Sequence, residues 1–481
     1  MIQMTLAEIA EAVGGTLSEA DPETRVTGPV EYDTRRDLTG GLFVAFPGAN
    51  VDGHDFAARA VADGAAAVLG TRAVPGVPMV LVDDALSAIG RLARAVLDRL
   101  PQLTVIGITG SSGKTSTKDM IGQLLSRLGP TVAPPGTFNN ELGLPHTALM
   151  ADEQTRFLVL EMGARGAGHL TYLCGIAPPK IGVVINVGVA HIGEFGSQEK
   201  IAEAKGELVE ALPADGVAIL NADDPLVAAM ASRTRAQVVA VGTSAGRGGA
   251  RAETPGVQSV DVRADDVTLD GLGRPAYKLV WPEGETAVTL TVAGAHQVGN
   301  SLAAAAVARA AGMTVTECGE GLSTLRAVSS RRMDVFNRAD GVTVIDDSYN
   351  ANPASTAAAL RALAALGSAP DGPARRTVAV LGYHAELGEH ERSGHEEVGR
   401  IAAESGVSLL VVVGDNAAPI RDGATAMARW GGDSVLVSDQ DAAVAVLGER
   451  LRPGDVVLVK GSRYRTWQVV DALRATAGAV A

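Results

Sequence analysis

Gly110-Ser111-Ser112-Gly113-Lys114-Thr115 puts two glycines, a lysine and a hydroxyl residue into six consecutive positions. Glycines let backbone N–H groups approach phosphate oxygens, the start of a helix adds positive potential, and a lysine reaches the terminal phosphates. Thr115 then stands where a hydroxyl can ligate Mg²⁺. The apolar run Leu103–Ile108 before this turn reads as a buried parallel strand, and a helix carrying Lys118, Met120, Ile121, Leu124 and Leu125 follows it. Ile108 occupies the place of the first glycine of the longer Gly-x-x-x-x-Gly-Lys-Thr loop. The segment therefore reads as an ATP or GTP phosphate site of a shortened type, and by itself it does not separate a kinase from a GTPase or a ligase.

Two further metal-competent groups follow strands. Glu161 ends the apolar run Phe157–Leu160, and His191 comes after the run at 181–187. Ligands of open α/β sheets collect at the carboxyl ends of strands, so Lys114, Glu161 and His191 are expected to share one site. Lys205 lies in Ala-Lys-Gly-Glu-Leu and has two readings. It is a surface lysine paired with a glutamate, or an amine converted to a carbamate, an anionic oxygen ligand of the kind Mg²⁺ prefers.

The elements that must hold these groups fall into three textures. Residues 1–102 alternate short strands (42–46, 67–69) with alanine-rich helices, and Thr5 with Glu8 makes a capping box for the first helix. Residues 103–327 repeat strand then helix, with an exposed loop expected at 244–256 and antiparallel pairing at 259–293. Residues 328–481 carry the apolar runs 342–345, 377–381, 409–413 and 456–459 with helices between them, the pattern of a second doubly wound sheet. The fold class expected is α/β in three domains: a central P-loop-type, mostly parallel sheet flanked by an N-terminal α/β unit and a C-terminal Rossmann-like unit.

Composition narrows the function classes. A chain of 481 residues exceeds a single core, and 46% apolar with 20% charged residues is globular rather than disordered. A net charge of −14 argues against nucleic acid as a partner. The two cysteines, Cys174 and Cys318, sit in no metal-type spacing and read as free thiols of a reducing compartment. No apolar run reaches a membrane span and the N-terminus lacks signal-peptide character, so a cytoplasmic protein, monomeric by default, is expected.

Several segments together resemble the Mur ligases of cell-wall precursor synthesis: TGSSGKTSTKD at 109–119, EMGARGAGHL at 161–170, NVGVAHIGEFGS at 186–197, AEAKGEL at 202–208 and LNADDP at 220–225. TFNNELGLP at 137–145, DDSYNANPAS at 346–355 and KGSR at 460–463 resemble the branch of that family that adds a dipeptide. DTR at 33–35, FPG at 46–48 and DGH at 52–54 resemble its uridine-nucleotide domain.

The resemblance implies an ATP-dependent ligase. It would phosphorylate the terminal carboxylate of UDP-N-acetylmuramoyl-tripeptide and transfer the acyl group to D-alanyl-D-alanine. It also implies roles. Gly110 through Ser116 would cradle the phosphates, Lys114 would bind the β/γ-phosphates, and Thr115 with Glu161 would hold one Mg²⁺. His191 and a carbamylated Lys205 would serve a second. Asn300 matches an adenine-side asparagine, and Arg332 and Asp347 match residues that close onto ATP. Thr34, Arg35, Asp52, Gly53 and His54 would face the uridine nucleotide. Asn139, Asn140 and Glu141 would lie toward the peptide, and Tyr349 and Asn350 near the incoming dipeptide.

Two departures from the family pattern stand out: Tyr383-His384 where Asp-Met is usual, and Gln297 where Asn often follows His296. The alternatives are a sister ligase adding a different amino acid and a non-catalytic nucleotide-binding regulator. The Ser348–Pro353 segment speaks against the first, and the joint set Lys114, Glu161, His191 and Lys205 against the second.

Overall fold

The capping box expected at the first helix is present: Thr5 Oγ1 accepts the Glu8 N–H, and the Glu8 carboxylate accepts the Thr5 N–H at 2.8 Å. The helix Leu6–Val13 ends at Gly14, whose φ of 63° closes the last turn in the left-handed region. The structure, a computed structural model, describes residues 1–48, 51–188, 192–243, 260–368, 374–461 and 465–477. His191, the loop expected at 244–256, and Ser462-Arg463 of the 460–463 motif lie outside the described residues.

Three α/β domains, each with its own principal sheet, make up the chain. The first sheet orders Thr16–Ser18, Met79–Leu81, Ala67–Gly70, Leu42–Val44 and Val30–Glu31, with only the first pair antiparallel. The second has nine strands. Thr104–Thr109 runs parallel between Phe157–Glu161 and Ile181–Val184, and the strands Val262–Leu269, Pro275–Trp281 and Gly284–Thr289 close one edge with antiparallel pairing. That edge agrees with the reading of 259–293. In the third sheet Asp334–Asn337 is an antiparallel edge on five parallel strands, from Thr343–Asp347 to Asp433–Val437.

Burial explains why the parallel strands read as unbroken apolar runs. Every residue of Leu409–Val413, Thr377–Gly382 and Val456–Lys460 is buried, and separate apolar clusters cover the two faces of that sheet. The first two domains do not have wholly separate interiors. One apolar cluster runs from Met4 and Ile9 through Leu92 and Val96 to Leu144, Leu170 and Leu208. The helix Ala85–Asp98 makes this junction at Gly90, where an added Cβ would lie 3.2 Å from Ile176 Cδ1. Cys174 and Cys318 are buried free thiols, each pushed up to about 12 by burial, in keeping with inert packing residues. Among the described residues no helix is long and apolar enough to cross a membrane.

The second and third domains meet closely at two glycines. A Cβ built at Gly193 would lie 2.5 Å from the backbone N of Gly388, so the short helix Ile192–Phe195 rests directly on the turn Gly388–His390.

Candidate functional site

The order of strands in the nine-stranded sheet sets the site. Because Thr104–Thr109 lies between Phe157–Glu161 and Ile181–Val184, the loop leaving its carboxyl end is flanked by the segments beginning at Glu161 and Ile185. That loop enters the helix Lys114–Leu125 at Gly113, which has a φ of 83°. Gly113 also lacks room for a side chain, since a Cβ there would lie 2.6 Å from Asn300 Oδ1. The loop is fixed from one side. Asn186 Oδ1 accepts the N–H groups of Ser111 and Ser112, both at 3.0 Å, and its Nδ2 donates to the Ser112 carbonyl at 3.2 Å. The amides of the helix N-terminus remain for a ligand.

A cavity of about 550 Å³ opens above this loop, with walls from the central and C-terminal domains. Ser111 through Ser116 form one wall, and Asn139, Glu161, Lys205 and Asn300 contribute from the central domain. Arg332, Asp347, Tyr349 and Asn350 face them from the C-terminal domain. Local sequence explains the last group. Asn352 caps the helix Pro353–Gly367 through Ser355, with Pro353 at its first turn, so the chain from Asp347 to Asn350 turns across the cavity before that helix starts.

The charged groups carry the site's chemistry. Lys114 Nζ donates to the Gly110 carbonyl at 2.6 Å, and burial lowers its proton affinity. Thr115 Oγ1 donates to Glu161 Oε2 at 3.3 Å, while Glu161 Oε1 is buried without a hydrogen-bond partner. Burial raises the Glu161 pKa, opposed by the nearby Lys118, Lys114 and Arg332. Lys118 Nζ lies 3.8 Å from Glu161 Oε1 and donates to the carbonyls of Pro134 at 2.5 Å and Gly136 at 2.8 Å.

Lys205 corrects one of its two readings. Its side chain is 3% exposed, not on the surface, and Glu207 is occupied elsewhere, accepting the N–H groups of Gly168 and Thr171 at the start of the helix His169–Ile176. The Lys205 pKa is lowered well below the usual lysine value, first by burial and then by the charge of Lys114.

A buried carboxylate oxygen without a hydrogen-bond partner, beside a threonine hydroxyl, suits a hard cation. Among the described residues no three His, Cys, Asp or Glu side chains cluster as a metal cage. Mg²⁺ binds through one or two protein oxygens together with substrate phosphates and water, and the Glu161 carboxylate with the Thr115 hydroxyl is a donor set of that kind.

Other expected residues lie apart from the cavity. The His54 ring is buried in the N-terminal domain. Its Nε2 accepts from the Thr71 N–H at 2.9 Å, so its Nδ1 proton goes to Asp52 Oδ1 at 2.6 Å. His54 thus braces Asp52, whose other oxygen takes Arg72 at 3.0 Å, and has no ring nitrogen left for a ligand. Arg35 is exposed and paired with Asp33. Asn140 accepts the Gly143 N–H at 2.8 Å at the start of the helix Gly143–Ala148, and Glu141 pairs with His169 at 2.9 Å.

Sequence reasoning gave no role to Lys118, Thr137, Asn186 or Lys460. Lys118 follows Lys114 by four residues and so shares its helix face, which was the available signal. Gln297 holds Asn300: the amide Nδ2 of Asn300 donates to Gln297 Oε1 at 2.8 Å. The departure from Asn at 297 therefore keeps a polar partner for Asn300.

Three family models match the chain: the Mur ligase middle domain at residues 108–308, the Mur ligase glutamate ligase domain at 331–463, and the Mur ligase family catalytic domain at 30–96. The UDP-N-acetylmuramoyl-tripeptide–D-alanyl-D-alanine ligase of Mycobacterium tuberculosis is 47% identical over 100% of both chains. Its namesake from Escherichia coli is 34% identical over 98% of this chain and 99% of that one. Among solved structures, MurF from Acinetobacter baumannii superposes with a TM-score of 0.85 at 29% identity, covering 98% of this chain and 99% of that chain. A MurF ligase from Thermotoga maritima in complex with ADP gives 0.78 at 29% identity, covering 95% and 99%.

Proposed function

The chain belongs to the Mur ligase family, and from that membership we propose that it joins D-alanyl-D-alanine to UDP-N-acetylmuramoyl-tripeptide with ATP, releasing ADP and phosphate. The observation that carries this reading is the meeting of Lys114, Thr115, Glu161 and Lys205 with Arg332, Asp347, Tyr349 and Asn350 around one cavity. Phosphoryl transfer asks little of a protein except positioning and neutralisation of charge, and these groups supply both.

The tripeptide's terminal carboxylate attacks the γ-phosphorus of ATP, the bond to ADP breaks, and an acyl phosphate forms. The amine of D-alanyl-D-alanine then attacks the acyl carbon. The tetrahedral adduct loses phosphate, and the amine gives up its proton as the amide forms. Lys114 and the helix N-terminal amides hold the β/γ-phosphates, and Arg332 adds positive charge from the C-terminal domain. Asn300 faces the adenine side, and Tyr349 and Asn350 lie toward the dipeptide. Mg²⁺ held by Thr115 and Glu161, with a second ion at His191 and a carbamylated Lys205, supplies charge neutralisation for the phosphates when bound.

The division of labour follows the sequence spans: 1–102 for the uridine nucleotide, through Thr34, Arg35 and Asp52-Gly53; 103–327 for ATP; 328–481 for closure. Asn139, Asn140 and Glu141 border the peptide path. A nucleotide-linked precursor and ATP as substrates suit a cytoplasmic enzyme.

The test is phosphate release from ATP with UDP-N-acetylmuramoyl-tripeptide, with and without D-alanyl-D-alanine. The dipeptide should stimulate release and appear in the product. Lys114→Met should lower turnover at least about 100-fold while leaving the fold intact, the scale of losing a preorganised charge donor. If the dipeptide had no effect while a free amino acid reacted with a shorter precursor, the reading would be abandoned.

A further inference from the structure

Arg332 reaches the phosphate loop from the C-terminal domain in a defined pose. One face of its guanidinium lies over the Tyr349 ring, 4.2 Å from the centroid, and its Nη2 donates to Thr115 Oγ1 and Thr137 Oγ1, each at 3.3 Å. The backbone around it is constrained. Arg331 and Met333 have φ values of 63° and 54°, left-handed conformations that side-chain-bearing residues adopt only when their surroundings impose them.

The segment carrying Thr137 is held as firmly. Lys118 ties down the Pro134 and Gly136 carbonyls, and the Gly136 N–H donates to Ser329 Oγ at 2.9 Å, three residues before Arg332. The Ser329 N–H in turn donates to Asp119 Oδ2 at 3.1 Å. Two contacts, Gly136 to Ser329 and Thr137 to Arg332, therefore dock this loop on the first residues of the C-terminal domain.

Counting lone pairs shows why Thr137 matters. The Thr115 hydroxyl has one proton and two lone pairs. Its proton faces Glu161 Oε2 at 3.3 Å, and its oxygen is approached by Thr137 Oγ1 at 3.0 Å as well as by Arg332. Any ligand that takes one of those lone pairs displaces one of the two, whereas Thr137 keeps its own oxygen for Arg332. We infer that Thr137 is a positioning residue, whose hydroxyl holds the Arg332 guanidinium against the nucleotide's phosphates. The inference rests on the ATP site proposed above and is independent of which acceptor the enzyme uses.

Affinity for a non-hydrolysable ATP analogue, measured by calorimetry, tests it without turnover. Thr137→Val should weaken binding about tenfold, the scale of one hydrogen bond to a charged group. Thr137→Ser should stay within about twofold of wild type. Thr137→Ala, a second variant without the hydroxyl, should match Thr137→Val. In an Arg332→Met background, Thr137→Val should add less than about twofold, because its partner is already gone. Wild-type affinity in both hydroxyl-less variants, or losses that multiply in the double variant, would overturn the assignment. A failed dipeptide assay alongside the expected binding pattern would overturn only the acceptor.

Discussion

Lys460 and Asp347 are the last residues of two adjacent parallel strands, in register with each other, and their side chains form an ion pair 2.5 Å long. Lys460 Nζ also donates to the Asn350 carbonyl at 2.9 Å, so the pair anchors the turn that lines the cavity. The lysine is buried, and burial lowers its pKa against the opposing pull of Asp347.

Breaking such a pair from one side strands a charge. Lys460→Met should destabilise the protein by about 3–5 kcal/mol, and the double variant Lys460→Met with Asp347→Leu should recover a large part of that loss. Denaturant unfolding measures both. A single variant as stable as wild type would show that the pair contributes nothing to folding.

Lys205 invites a chemical test. Its pKa is lowered first by burial and then by Lys114, which favours the neutral amine, the form that reacts with CO₂. Lys205→Ala should lose about 100-fold in turnover, the upper end for removing a group that tunes a metal site. Wild-type enzyme depleted of CO₂ should be slow and should recover on adding bicarbonate near pH 7.5. A fully active Lys205→Ala enzyme would remove this residue from the site.

His384 predicts an acid sensitivity. It is buried, its backbone N–H donates to His395 Nε2 at 2.9 Å, and its Nε2 lies 3.2 Å from the Thr356 hydroxyl, while its Nδ1 has no hydrogen-bond partner. Burial, then His395 and Lys460, lower its pKa well below 6.5. The unfolded chain therefore binds a proton below about pH 6.5 that the folded chain refuses. The folded state keeps its full stability above that pH and loses it as the pH falls. Between pH 7.5 and 5.5 this one ring should account for a loss of stability of up to about 1.4 kcal/mol. His384→Met should flatten the pH dependence by that amount in paired unfolding titrations, and an unchanged slope would reject the assignment.

How much of this was legible in the sequence depends on range. The phosphate loop and Glu161 were readable because a buried parallel strand is an unbroken apolar run, and the residues just after such a strand lie at the ligand end of the sheet. The Thr5–Glu8 cap was readable because it spans three residues. Lys205 kept two readings because a helical Lys-x-Glu looks the same on either face, and only the fold shows Glu207 turned toward Gly168 and Thr171. Asn186, 74 and 75 residues from its partners in the phosphate loop, and Thr137, 195 residues from Arg332, acquire their roles through contacts that no local pattern encodes. The buried ring of His54, which accepts from the N–H of residue 71, is held by another contact that no local pattern encodes.

The glycine pair at 193 and 388 carries a consequence for how this enzyme can change. Backbone meets backbone there, and Gly388 has a φ of 55° besides. A methyl group at either position would wedge the central and C-terminal domains apart along the side of the cavity. The two domains are therefore not freely interchangeable parts. A C-terminal domain transplanted from a relative with a side chain at that turn would fold, yet it would fail to seat on this central domain unless the facing helix were replaced with it.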